Sequence, residues 1–136
     1  MKQTLLIIDA QQDLINGNQE IGPIFNKEQL VRNINKVIEK AREENVPVVF
    51  VRDLDVAMGE GSGFQIHNEI NVPIEAKIFD KSATNSFYGT GLLEYLKSQQ
   101  IKHIVIMGCE TQHCIDSAVR TATISGFDVT LVGDGH

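Results

Sequence analysis

The chain has 136 residues and a mass of 15.1 kDa, a length that suits one domain and leaves little room for two. Hydrophobic residues make up 42% and charged residues 22%, enough apolar material to build a core. A net charge of −6 and a pI near 5.1 argue against nucleic acid and anionic membrane surfaces, both of which want clustered Lys and Arg. No apolar run approaches the roughly 20 residues of a membrane span, and Asp9 interrupts the apolar run at 4–8 too soon for a signal peptide. Two cysteines, Cys109 and Cys114, do not make a disulfide framework. The expectation is a soluble cytoplasmic protein, a single domain over 1–136.

Apolar runs alternate with helical patterns along the chain. Leu5 to Ile8 is a continuous apolar run closed by a polar cluster. Asn26, with Gln29 three residues on, offers a cap for a first helix carrying Leu30, Ile34, Val37, Ile38 and Ala41 at helical spacing. Val46 to Val51 reads as a second strand. Residues 53–75, with Gly59, Gly61, Gly63 and Pro73, form the largest irregular stretch, read as a lid or pocket wall. Ala76 to Phe79 is a weaker third strand. Thr90 precedes a helix with Leu92, Leu93 and Leu96; Ile104 to Met107 is a fourth strand. A third helix holds Ile115, Ala118, Val119 and Ala122 and stops at Gly126, and Phe127 to Val132 is the last strand. Continuous β-branched runs fit strands buried on both faces. The order predicts an α/β fold: a three-layer, doubly wound, mostly parallel sheet with helices on both faces. The chain ends at His136, so truncation or a covering partner subunit is expected, the latter as a homo-oligomer.

In an open parallel sheet, ligands bind beyond the carboxyl ends of the strands. Asp9, Asp53, Asp80 with Lys81, the segment Gly108–Cys114, and Asp134 each follow a strand, so an acid, a lysine and a cysteine share one edge. Cys114 opens a helix, whose N-terminal N–H groups and dipole favour a thiolate. Asp9 can take the thiol proton, and Lys81 can hold Asp9 and the thiolate together. Backbone N–H groups of the 108–114 turn face the same point and can stabilise an oxyanion. Each residue also has a plain role: a small buried hydrophobe for the cysteine, a turn cap for the Asp, a solvated side chain for the Lys. Asp53, Asp55 and His67 flank the long loop, but their spacing is loose for a metal; His67 instead shapes the pocket. His103 and His113 have no evident partners. The three loop glycines neither follow a strand nor open a helix, so they are not a dinucleotide fingerprint.

At these residues the sequence resembles the isochorismatase-like cysteine hydrolase family over essentially the whole chain. The blocks are Leu-Ile-Ile-Asp-Ala-Gln-Gln-Asp at 6–13, Val-Phe-Val-Arg-Asp at 49–53, and Phe-Asp-Lys-Ser-Ala-Thr-Asn-Ser-Phe at 79–87. Gly-Cys-Glu-Thr-Gln-His-Cys-Ile-Asp-Ser-Ala at 108–118 and Gly-Phe-Asp-Val-Thr-Leu-Val-Gly-Asp at 126–134 come next in order. The resemblance implies a cysteine amidohydrolase with a triad of Asp9, Lys81 and Cys114. It implies a non-prolyl cis peptide at Cys109–Glu110 and an oxyanion hole from the N–H groups of Glu110 and Cys114. Nicotinamidases of the family hold a metal through an Asp and histidines; Asp53 matches, but Asp55 stands where a His belongs. No metal and no cofactor are therefore expected. Cys114 points to C–N cleavage of a small amide or ureide rather than vinyl-ether hydrolysis. Pocket contacts are expected from Gln12, Phe64, Gln65, His67, Phe87 and Tyr88. The alternatives are a binding or structural member of the same fold without turnover, and a flavodoxin-like nucleotide binder. The lack of a glycine-rich phosphate loop after Ile8 counts against the nucleotide binder.

Overall fold

The structure, a computed structural model, describes residues 2–17, 22, 26–108 and 112–132, with only the backbone of Gln112 and His113. Five strands carry the short apolar runs: β1 (Gln3–Ile8), β2 (Val48–Asp53), β3 (Lys77–Lys81), β4 (His103–Gly108) and β5 (Asp128–Leu131). They form one sheet in the order β3-β2-β1-β4-β5, and all four pairings are parallel. Central β1 pairs Ile8 with Val51 on one side and with Gly108 on the other. The strand order reverses at β1, which puts a crevice at its carboxyl end.

Alternation along the strands divides the core into two. Leu6, Ile8, Val49, Val51, Ile104 and Ile106 face Leu92 and Leu96 of α4 (Leu92–Ser98) and Ile115, Ala118 and Ala122 of α5 (Gln112–Ile124). Leu5, Ile7, Val48, Phe50 and Met107 face Leu30, Val31, Ile34, Ile38 and Ala41 of α2 (Lys27–Glu43). Helices on both faces of a parallel sheet give the three layers that the sequence pattern predicts. Gly108 is required where β4 closes on β1, because a Cβ there would lie 2.2 Å from the Ile8 carbonyl oxygen. Gly126 ends α5 with a φ of 96°, and Phe127 N–H donates to Ala122 O at 3.1 Å.

Several expectations change. Asn26 precedes α2 but does not cap it: its φ is 59°, its side chain makes no capping bond, and the Gln29 side chain turns instead to Asn33 and Arg32. The polar cluster after β1 is a short helix, α1 (Gln12–Asn16), absent from the periodicity because five residues give too few apolar repeats. Asp53, Asp80 and Lys81 lie inside their strands as closing residues rather than beyond them. The stretch 53–75 is less irregular than its glycines imply. It contains a 3-10 turn (Val56–Gly59) and a one-turn helix α3 (Gly61–Phe64). An isolated bridge joins Ile66 to Gln11, and Phe64, His67 and Ile70 are buried. His103 has a partner, Thr130, whose Oγ1 lies 2.7 Å from Nε2.

Candidate active site

Asp9 is the first residue beyond β1. Its N–H donates to Val51 O at 2.9 Å, and its φ of 60° turns the chain out of the strand. Asp and Asn tolerate this left-handed region better than most side chains. The side chain is buried, with 2% of the residue exposed. Lys81 closes β3 and is wholly buried, which sets aside the plain alternative of a solvated lysine. Its Nζ lies 3.4 Å from Asp9 Oδ2 and donates to Thr84 O at 2.9 Å. That carbonyl belongs to a loop fastened to α5, where Asn85 Nδ2 donates to Thr121 Oγ1 at 2.8 Å. Cys114 lies in the first turn of α5, 8% exposed, and packs with the core formed by Phe87, Leu92 and Ile115.

The three side chains therefore meet at the carboxyl edge of the sheet, from positions 9, 81 and 114. Burial raises the pKa of Asp9 above the ordinary carboxylate value. The Lys81 charge and a hydrogen bond with Cys114 oppose that shift, while the Asp53 charge adds to it. A buried carboxyl with raised proton affinity beside a thiol is suited to taking and returning a proton.

Asp53, placed by the sequence on the same sheet edge but outside the acid–lysine–cysteine set, joins the group: one ligating atom each from Asp9, Asp53 and Cys114 lies within 4.8 Å of the others. Gln11, for which the sequence suggests no role, explains why. It is fully buried, its Oε1 accepts the Asp53 N–H at 2.8 Å, and its Nε2 donates to Asp53 O at 3.2 Å and Phe64 O at 2.8 Å. A glutamine two residues after a strand-end acid is a faint signal; only the fold shows its partners.

The expected pocket residues divide. Phe87 packs in the same core cluster as Cys114. Phe64 is buried under Arg52, whose guanidinium carbon sits 4.3 Å from the ring centroid. Gln65 Oε1 accepts from Arg52 at 2.8 Å, and Gln12 Oε1 accepts from Asn16. Tyr88 is 69% exposed. His67, set aside as a metal ligand and expected to shape the pocket, is held at both ring nitrogens: Nδ1 accepts the Glu69 N–H at 3.1 Å and Nε2 bonds Asn16 Oδ1 at 2.9 Å. With both ring nitrogens engaged and Asp55 N–H turned back onto Asp53 Oδ1, the Asp53, Asp55 and His67 set does not fit a metal. Asp9, Asp53 and Cys114 are spaced to hold an ion, but it would occupy the thiol and its neighbouring acid. Glu110, Cys109, Asp134 and the Cys109–Glu110 bond lie outside the described residues.

A five-stranded parallel sheet in this order, with helices on both faces, has the α/β architecture of isochorismatase-like proteins. The isochorismatase domain profile matches residues 3–136, and the chain belongs to that family of hydrolases. It is 30% identical over 138 residues to an uncharacterized isochorismatase family protein, YrdC of Bacillus subtilis (strain 168), spanning 98% of this chain and 72% of that one. Among solved structures it is similar to N-carbamoylsarcosine amidase from Thermoplasma acidophilum. The TM-score is 0.83 at 26% identity, covering 99% of this chain and 83% of that chain. A pyrazinamidase of Pyrococcus horikoshii in complex with zinc shares the fold, with a TM-score of 0.85 at 22% identity over 99% of this chain and 86% of that chain.

Proposed function

We propose that the chain is a cysteine amidohydrolase acting on a small amide or ureide. The observation that carries this reading is the buried contact of Asp9 with both Lys81, at 3.4 Å, and the Cys114 thiol. Asp9 accepts the Cys114 proton, and the thiolate attacks the substrate carbonyl carbon. The negative charge that develops on the oxygen falls to backbone N–H groups, assigned by family resemblance to Glu110 and Cys114. Asp9 returns the proton to the departing nitrogen as the C–N bond breaks, leaving a thioester on Cys114. Water then attacks the thioester with Asp9 again taking a proton. The acid is released, and Asp9 reprotonates the Cys114 thiolate. Lys81 keeps the buried Asp9 charge compensated during the cycle.

The test is hydrolysis of a panel of small amides and ureides, with intact-mass detection of an acyl adduct on Cys114. Cys114→Ala is expected to abolish turnover. Asp9→Asn and Lys81→Ala should each cost a factor on the order of 10²–10⁴, and almost nothing further when added to Cys114→Ala. Near-normal hydrolysis by Cys114→Ala would remove the nucleophile assignment. A full panel without turnover would favour the alternative of a non-catalytic binding member of the same fold.

A further inference from the structure

We infer that Asp53 is a specificity-determining residue of this site. It favours acyl groups that bring an N–H or cationic group beside the scissile carbonyl and disfavours those that bring a carboxylate. The inference rests on Cys114 being the attacking thiol, and it concerns a carboxylate that the hydrolytic cycle does not use. Asp53 is the last residue of β2, and one of its oxygens lies within 4.8 Å of a ligating atom of both Asp9 and Cys114. An acyl carbon placed about 3–3.5 Å from the thiol sulfur for attack brings its substituents within reach of that oxygen.

The carboxylate is held, not loose. Gln11 clamps the Asp53 backbone from both sides, N–H and carbonyl, and also binds the Phe64 carbonyl. Asp53 Oδ1 accepts the Asp55 N–H at 2.9 Å, which limits rotation of the group. Nearby cations are already engaged. Lys81 is committed to Asp9 and Thr84, and Arg52, the strand neighbour pointing to the other face, makes a two-point contact with Asp80 at 2.8 and 3.0 Å. Among the described residues at this point, two carboxylates meet one ammonium. The field therefore repels an incoming carboxylate and attracts N–H donors and ammonium groups. At separations near 5 Å and partial burial, one unit charge changes such a preference by about tenfold or more. Ureides and α-amino amides meet these requirements; carboxylate-bearing amides do not.

Modification of Cys114 by a matched pair of methanethiosulfonates, one carrying an ammonium and one a sulfonate, tests this without any turnover. The same thiolate attacks both reagents, displacing methanesulfinate from each, so a change in thiolate fraction cancels in the ratio of their rates. The full chain is used, and Cys114 is read by peptide mass to separate it from Cys109. Asp53→Asn is expected to lower the ammonium-to-sulfonate ratio by about tenfold. Asp53→Ser serves as the second variant if the first does not fold. A ratio within twofold of wild type in a folded variant overturns the inference. A chain that shows the charge preference yet hydrolyses no amide overturns the hydrolase reading instead.

Discussion

Asp9 occupies a backbone conformation that costs most residues energy. With φ at 60°, Asp and Asn fit where a β-branched residue would be strained. Its raised proton affinity makes a statement about stability. A carboxyl whose folded pKa lies above its unfolded value favours folding at low pH, and that contribution is lost as pH rises through the folded value. Asp9→Asn removes the charge and keeps the shape. The melting temperature of Asp9→Asn relative to wild type is therefore expected to rise from about pH 4 to about pH 7. A difference that is flat or falling over that range would contradict the burial argument. Cys114, in the first turn of α5 and bonded to Asp9, is expected to outpace Cys109 with iodoacetamide at neutral pH. Peptide mapping that finds equal labelling, or Cys109 ahead, would remove it as the reactive thiol.

The elements differ in how far the sequence announced them. Strands β1, β2 and β4 were legible because Leu5–Ile8 and Val48–Val51 are buried on both faces and Ile104–Met107 is buried except at half-buried Val105, which leaves unbroken apolar runs. Edge strand β3 is mostly exposed, so its residues carry less apolar signal. Helix α2 was legible from its core stripe and from Asn26 just before its first turn, but the missing capping bond was not, since that bond depends on a φ that Asn26 does not adopt. Asp9, Lys81 and Cys114 were legible because each lies at, or shortly past, the carboxyl end of a strand. Gln11's clamp on Asp53 was hidden, because it joins residues 42 apart in the chain that only the fold brings together. Gly108 makes a test at this scale. Its Cβ would meet the Ile8 carbonyl oxygen at 2.2 Å, so Gly108→Ala must push β4 from β1. A loss of about 2 kcal/mol or more is expected in denaturant unfolding. An unchanged midpoint would mean that the two strand ends separate freely.

At the scale of the whole molecule, apolar surface lies bare. Ile74 is fully exposed, and Val72 and Ile78 beside it are partly so. Half-buried Val37, Val46 and Val105, with Gln3, Lys40 and Glu44, line a groove of about 190 Å³ between α2 and the sheet. Exposed apolar surface of this kind marks interfaces, and the expected outcome is a homo-oligomer. Sedimentation that finds only a 15.1 kDa species at micromolar concentration would remove that expectation. No helix among the described residues is long and apolar enough to cross a membrane. Elemental analysis after dialysis against chelator is expected to find no stoichiometric zinc or iron, because both His67 ring nitrogens are occupied. One zinc per chain would place an ion on Asp9, Asp53 and Cys114. The sheet order also bears on how the chain is made. Of the five described strands β1 is made first, yet one of its two partners, β4, ends 55 residues after β2 does. At about 5–20 residues per second, that flank of Leu-Leu-Ile-Ile waits roughly 3–10 s for its neighbour. An unpaired apolar edge is a template for pairing with another nascent chain. Codon choice and chaperone supply across residues 54–108 should therefore govern soluble yield more than any segment after β4.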